Sequence, residues 1–154
     1  MINTKQVQGR RSVRYSSLDE LLSDARKLAA CEVQTLGNWS QGQIYEHLAR
    51  ALDSSIDGVD FSVPAPARWL MSLLMKKKFL YKEIPAGFKV TGKQLPEETS
   101  VADGLHSLEQ AVERQEGESS RIMHPGFGSL TNQEWDAFNL RHAEMHMSFL
   151  VPQP

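Results

Sequence analysis

The chain has 154 residues, the size of one ordinary domain, with a formal net charge of -2 and a pI of about 6.2. That balance gives no overall attraction to nucleic acid, and no apolar run approaches the roughly 18 residues of a membrane-spanning helix. Cys31 has no second cysteine to pair with, and no apolar segment follows the paired Arg10 and Arg11, so we expect an unprocessed cytoplasmic protein that contacts neither nucleic acid nor membrane.

The N-terminal sixteen residues differ from the rest of the chain in being polar and basic. They form either an ordered edge or a loose arm (residues 1–16) ahead of one domain at 17–154. Ser17, followed by Glu20, forms a capping-box pattern that predicts a first helix over 17–30. Helical spacing of apolar residues, caps and turn residues then predict further helices at 39–57, 67–82, 100–117 and 131–150.

Five helices without an alternating strand pattern predict an all-α bundle. The helix over 39–57 has Asn38 as its expected cap. Residues 88–92 are the one segment with strand character, and a lone strand has nothing to pair with. The third helix carries a Leu- and Met-rich stripe that is either core or an interface. Its last turns hold a basic group, namely Lys76, Lys77, Lys78 and Lys82. We expect these lysines to form a solvated face, and contact with a membrane or nucleic acid is the alternative.

Three histidines turn toward the predicted core from two different helices. On a helical wheel, His142 and His146 share a face with apolar side chains of the fifth helix, and His47 lies within the buried stripe of the second. Burying three imidazoles costs free energy unless each polar nitrogen is paired, and one divalent metal binds three nitrogens at once. Such a set suits zinc, nickel, iron or copper, and it leaves a coordination position open.

The alternative is that these histidines are hydrogen-bonded core residues. Gln43 and Ser54 share the face of His47 and are candidates to orient it. No carboxylate accompanies the histidines on the wheel, since Glu46 and Glu144 point away. Glu109 and Glu113, on the fourth helix, are the candidates for a general base. We expect His106 to be a surface or core residue and His124 to anchor the start of the fifth helix. Cys31 is expected to be a small buried side chain.

The segments LGNWSQGQIYEHLARALDSSIDG and HPGFGSLTNQEWDAFNLRHAEMHMSFL resemble a bacterial family of uncharacterised proteins within the DinB/YfiT-like superfamily. The resemblance covers about residues 15–150. It implies a DinB-like four-helix bundle with a long crossover connection and extra short helices. It also implies a divalent metal on three histidines, one from the second helix and two from the last, which match His47, His142 and His146.

Some members of that superfamily resemble metal-dependent hydrolases, and others are transferases that use a low-molecular-weight thiol. Many dimerise. The resemblance therefore implies a homodimer that holds zinc or nickel, with iron as a third choice, and acts on a small electrophilic molecule with water or a thiol. The alternative that the residues leave open is a non-catalytic ligand-binding or stress-response bundle whose histidines are structural.

Overall fold

The computed structural model describes residues 2–88 and 92–153, except for the side chain of residue 93. Five α-helices lie in these ranges, which confirms the predicted all-α bundle. They are Leu18–Ala29 (α1), Gln41–Asp57 (α2), Ala65–Tyr81 (α3), Val101–Gly117 (α4) and Asn132–Met147 (α5). Two 3₁₀ turns, Thr4–Gln6 and Gly92–Gln94, accompany them.

Side-chain caps set where four of the helices begin. Ser17, Ser40, Ser100 and Thr131 each accept a hydrogen bond from the backbone N–H three residues later. The expectation that Asn38 caps α2 was wrong, because Ser40 and Gln43 form a reciprocal capping box two residues further on. Asn38 instead binds the backbone of Ile2 through both ends of its amide.

A short antiparallel sheet ties the C-terminus to the loop after α1. Val33–Thr35 (β1) pairs with Leu150–Pro152 (β2), with Val33 opposite Pro152. The prediction that α5 continues to residue 150 was wrong, since α5 ends at Met147. The expectation that no segment other than residues 88–92 has strand character was wrong, because β1 and β2 form a pair. Residues 89–91 lie outside the described part of the chain. Strands of three residues are too short to show an alternating pattern.

Arg10 and Arg11, from the N-terminal sixteen residues, pack in an ordered way against the end of α5. The backbone N–H of Arg11 donates to the carbonyl of Ser148 at 2.9 Å. The guanidinium of Arg10 donates to Oγ of Ser148 and lies 4.3 Å from the ring centroid of Phe149. These contacts cover the C-terminal end of the helix that carries two of the three histidines.

The core lies mainly between α1, α2, α4 and α5, while α3 packs along α5. Near their N-terminal ends α2 and α4 come into backbone contact at Gly42 and Gly104. The Leu- and Met-rich stripe of α3 is largely on the surface: Leu73 and Leu74 are 67% and 69% exposed. Only the last turns of α3 contribute buried side chains, Phe79 and Leu80.

Candidate metal site

Three imidazoles meet between α2 and α5. Nε2 of His142 lies 3.4 Å from Nε2 of His47 and 3.1 Å from Nε2 of His146. One ligand atom from each ring lies within 4.8 Å of the other two. His47 and His146 are buried and His142 is partly exposed. Within the described residues, these three therefore form a cluster that could hold a metal ion.

The orientation of His47 is fixed by a backbone oxygen far away in the sequence. Its Nδ1 lies 2.8 Å from the carbonyl oxygen of Gln94. A carbonyl only accepts, so Nδ1 carries the proton, and in the neutral ring Nε2 keeps a free lone pair. That lone pair is the one that faces the other two histidines, which is the arrangement a metal ligand requires.

The segment that carries Gln94 is held against α2 by three side chains. Gln94 donates its side-chain amide to Oγ of Ser54. Gln43 donates to the carbonyl of Pro96 at 3.5 Å, and Arg50 donates to the carbonyl of Leu95 at 3.1 Å. Gln43 and Ser54, which the sequence suggested as direct partners of His47, thus hold the segment whose carbonyl orients that ring.

The contacts of His142 exceed what hydrogen bonding alone can satisfy. A neutral imidazole nitrogen has either one proton or one lone pair, never both. If Nε2 of His142 accepts from His146, its lone pair faces that of His47. If Nε2 carries the proton instead, that single proton must serve two acceptors. A cation between the rings would satisfy all three lone pairs together, so the donor set fits a bound metal ion.

The electrostatics of the cluster favour the neutral imidazoles that metals bind. Burial lowers the pKa of His142 to about 3, with further lowering by His47 and His124. Burial also holds the pKa of His146 well below its ordinary value. The pKa of His47 is lowered by burial and by Arg50, against a raising effect of its hydrogen bond to Gln94.

Two of the three nitrogen separations in the cluster match those expected around a first-row metal ion, and all three lie within 4.8 Å. Tetrahedral coordination with metal–nitrogen distances near 2.0–2.1 Å separates ligand nitrogens by about 3.3 Å. The two Nε2 separations at His142, 3.1 and 3.4 Å, bracket that value. Nitrogen donors of this kind suit zinc, nickel, iron and copper. The donor set does not choose among those metals.

Aromatic rings surround the cluster. Trp39 stacks on His146 with ring centroids 5.3 Å apart and lies 4.8 Å from His47. Phe138 stacks on His142 at 6.1 Å. Beside His142, a crevice too narrow to admit a water molecule includes Asn139, whose buried Nδ2 has no hydrogen-bond partner. The walls of the site are therefore mostly apolar.

The carboxylates near the histidines in sequence are engaged elsewhere. Glu46 pairs with Arg50, and buried Glu144 pairs with Arg141. On α4, Glu109 pairs with Arg26 at 2.7 Å, while Glu113 is exposed. His106 is also exposed, and so is Cys31, contrary to the expectation of a small buried side chain. These positions give no general base directed at the histidines.

His124 acts as a structural anchor in the turn before α5. Its Nδ1 accepts hydrogen bonds from the backbone N–H groups of Gly126 and Phe127 at 3.1 and 3.0 Å. Its ring stacks on Phe127 and lies edge-on to Phe138. Burial lowers the pKa of His124 to about 4. Through Phe138, this turn packs against the face of α5 that carries His142.

Sequence reasoning missed two contributors to the site. Trp39 immediately precedes the Ser40 cap, and that position is often occupied by a residue that packs back on its own helix. An aromatic residue there was a usable signal. Gln94 left no signal, because it acts on His47 through a backbone carbonyl that any residue would supply.

These features define an all-α protein with a three-histidine cluster, set between two of its helices, that could hold a metal ion. The chain belongs to the family DUF1569, described as a protein of unknown function, whose family model matches residues 7–153. No curated protein and no solved structure matches the chain. In the described residues, no helix is long and apolar enough to cross a membrane.

Proposed function

We propose that the protein is a metal-dependent enzyme whose His47, His142 and His146 hold a divalent cation. Its substrate is a small electrophile that is attacked by water or by a low-molecular-weight thiol. The observation that carries the proposal is the double contact of His142 Nε2, at 3.1 and 3.4 Å, which neutral imidazoles satisfy only if one proton is shared between two acceptors. We expect zinc or nickel first and iron third, although the donor set itself accepts each of these metals.

Three protein ligands leave at least one coordination position for water or substrate, as in catalytic rather than structural sites. A bound metal supplies Lewis acidity there, which lowers the pKa of coordinated water or thiol. The residues around the site orient the histidines and exclude water. Gln94 keeps Nε2 of His47 available, while Trp39 and Phe138 exclude water from two of the rings. Lower local polarity strengthens electrostatic interactions with a developing charge.

The placement of the histidines also supports a place for this family within the DinB/YfiT-like superfamily. One histidine comes from the second long helix and two come from the last, within an all-α fold. We include that relationship in the proposal. An experimental structure in which α1, α2, α4 and α5, the helices around the core, superimpose on a superfamily member would support this relationship. A different order of these helices would contradict it.

The first test is elemental analysis of protein purified without a histidine tag or chelator. We expect close to one equivalent of a divalent transition metal in the wild type and less than a tenth of that in His142→Ala/His146→Ala. His106→Ala is the matched control, because His106 is exposed on α4 and away from the cluster. Equal metal content in all three proteins would show that His142 and His146 are not metal ligands.

A second assay separates the two reaction classes. A thiol transferase should consume a low-molecular-weight thiol in step with an electrophile such as monochlorobimane, and the rate should fall in the His142→Ala/His146→Ala variant. A hydrolase should release its product at the same rate with or without thiol. Each reaction is compared with an identical mixture containing the His106→Ala protein.

A non-catalytic bundle is the second candidate function. Two observations favour it: the neighbouring carboxylates are paired elsewhere, and the crevice beside His142 is too narrow to admit a water molecule. In that case metal is absent from the purified protein and is not retained when added. The histidine variants would then change only the free energy of unfolding.

A further inference from the structure

The outward surface of α3 is apolar over most of its length. We define the α3 face as Trp69, Leu70, Leu73, Leu74 and Tyr81. Trp69 is 68% exposed and Tyr81 is 60% exposed, and these two rings stand near opposite ends of the helix. Folded domains seldom expose a continuous apolar helix face of this kind without a use for it. The inner side of the same helix packs against α5 through Phe79 and Leu80.

The charge along α3 is mainly positive, although Asp60 and exposed Glu83 flank the segment and Asp136 lies near Tyr81. Residues 61–82 contain five basic side chains and no acidic one, in a chain whose net charge is -2. The basic residues are Arg68, Lys76, Lys77, Lys78 and Lys82. Lys76 is paired with Glu134, whereas Lys77, Lys78 and Lys82 are exposed. The surface of α3 is therefore basic and apolar, although the net charge of the whole chain is slightly negative.

Lys77 lies among the apolar side chains of the α3 face. Residues three and four apart lie on the same side of a helix, so Lys77 stands between Leu73, Leu74 and Tyr81 at the centre of the exposed surface. A flexible lysine can lie along apolar surface and direct its ammonium group outward to water or phosphate. In a dry protein interface the same ammonium group would have to be desolvated.

We propose that the α3 face docks onto an anionic lipid membrane, with α3 lying flat in the headgroup region. A helix with exposed Trp, Leu and Tyr and basic flanks has the composition of an interfacial helix. A second copy of the chain fits less well, because two α3 faces would bring five basic side chains from each copy together, with only the flanking Asp60 and Glu83 of each copy to offset them. Docking in the interface plane also agrees with the absence, among the described residues, of a helix able to cross a membrane.

The test is co-sedimentation of the full chain with vesicles of phosphatidylcholine containing about 30 mol% phosphatidylserine, beside vesicles of phosphatidylcholine alone. We expect binding to the anionic vesicles only, and loss of that binding at high salt. Lys77→Glu should weaken partitioning on the order of tenfold, and Leu73→Ser/Leu74→Ser should weaken it at least as much. All substituted side chains are exposed, so the variants should fold.

Matched controls change the same chemistry elsewhere. Lys27→Glu makes the same change of charge at an exposed position on α1. Ile2→Ser/Leu95→Ser removes two exposed apolar side chains that are distant from α3 in sequence. Both should bind vesicles like the wild type. Trp69 gives a direct signal, because Trp39 is partly covered and Trp135 is buried. Its fluorescence should shift to the blue on docking, and Trp69→Phe should remove that shift.

The outcomes that would overturn the proposal are distinct. No binding to anionic vesicles, or equal binding to neutral ones, would reject an anionic membrane as the occupant. A dimer in sedimentation equilibrium that Leu73→Ser/Leu74→Ser converts to monomer, without vesicle binding, would make the α3 face a self-interface. None of these readouts depends on the metal site.

Discussion

The carbonyl oxygen of Gln94 lies 2.8 Å from Nδ1 of His47 and determines which nitrogen of that ring is free. The free nitrogen, Nε2, lies 3.4 Å from Nε2 of His142. A segment that follows α3 in the chain therefore orients a candidate metal ligand on α2. This relationship links the long connection between α3 and α4 to the chemistry of the candidate metal site.

Replacing Gln94 by Ala should weaken metal binding while leaving the fold intact. The substitution removes the amide that binds Oγ of Ser54, so the carbonyl that orients His47 is held less firmly. Loss of such outer support typically costs about 10–100-fold in metal affinity, and we expect about tenfold here. Competition with a chromophoric chelator measures the dissociation constant. Gln110→Ala, at an exposed position on α4, is the control.

A Gln94→Ala protein with wild-type metal affinity would show that the side chain of Gln94 is not needed to hold the carbonyl that orients His47. A comparable weakening in Gln110→Ala would point to a general effect on folding. Unfolding in urea, followed in parallel, separates these cases. The expected result is a change in metal affinity with a free energy of unfolding within about 0.5 kcal/mol of the wild type.

Gly104 allows α2 and α4 to touch, and Ala at this position should destabilise the protein. A Cβ there would clash with the carbonyl oxygen of Gly42, far inside van der Waals contact distance, and that oxygen belongs to another helix backbone and cannot rotate away. Overpacking of this type costs about 1–3 kcal/mol, which exceeds the gain of up to about 1 kcal/mol from helix propensity. Chemical denaturation measures the difference in the free energy of unfolding.

Gly117→Ala is the matched control for this substitution. Gly117 is the last residue of the same helix, and a Cβ there meets nothing within 4 Å. Its replacement should leave stability unchanged or raise it slightly. If Gly104→Ala were as stable as Gly117→Ala, the close approach of α2 and α4 would not be a constraint on the fold.

The helices and the candidate ligands were open to prediction because their signals are local. Ser17 and Thr131 cap their helices through side chains three residues from the N–H groups they bind. His142 and His146 share a helix face by spacing alone. The inward direction of His47 follows from the apolar stripe of α2 in the same way. Such features need no knowledge of the tertiary contacts.

The remaining features depend on tertiary contacts that spacing does not encode. Strand β2 forms because Leu150 meets Thr35, a pairing between distant segments of only three residues each. Glu144 was expected only to point away from the histidines, yet its carboxylate is buried because Arg141 and the backbone of Tyr15 bind it. The exposure of the α3 face also could not be predicted, since the sequence pattern of an apolar stripe is the same whether another element packs on it or not.

Glu144 is a stability determinant, and its removal should be costly. Its carboxylate accepts from the backbone N–H of Tyr15 at 2.7 Å and pairs with buried Arg141. Glu144→Leu would leave the guanidinium of Arg141 without its charged partner, and breaking a buried pair in this way costs about 3–5 kcal/mol. Thermal and urea unfolding measure the loss. Glu109→Ala breaks an exposed pair with Arg26 and should cost less than about 1 kcal/mol.

If Glu144→Leu and Glu109→Ala lost similar stability, the network around Tyr15 would contribute no more than a surface ion pair. The double variant Arg141→Met/Glu144→Leu provides a further check. Removal of both charges should restore much of the lost stability, because no buried charge is then left unpaired.

His124 should make the protein sensitive to mild acid. Burial lowers its pKa to about 4 in the folded state, whereas an unfolded histidine titrates near 6.5. Above about pH 6.5 neither state takes up a proton here, so the effect on stability is absent. As the pH falls from about 6.5 to about 4, the unfolded chain binds a proton that the folded chain refuses. The free energy of unfolding should then drop by about 3 kcal/mol through this group.

His124→Asn tests this origin, because the Asn side-chain oxygen can still accept from the N–H groups of Gly126 and Phe127. Urea unfolding of the metal-free proteins between about pH 7.5 and about pH 4.5 should show a shallower pH dependence for the variant. The histidines of the candidate metal site are present in both proteins, so their contribution cancels in the comparison except for the part of the lowered pKa of His142 that is due to His124. A variant that follows the wild-type pH curve throughout would place the acid sensitivity in other groups.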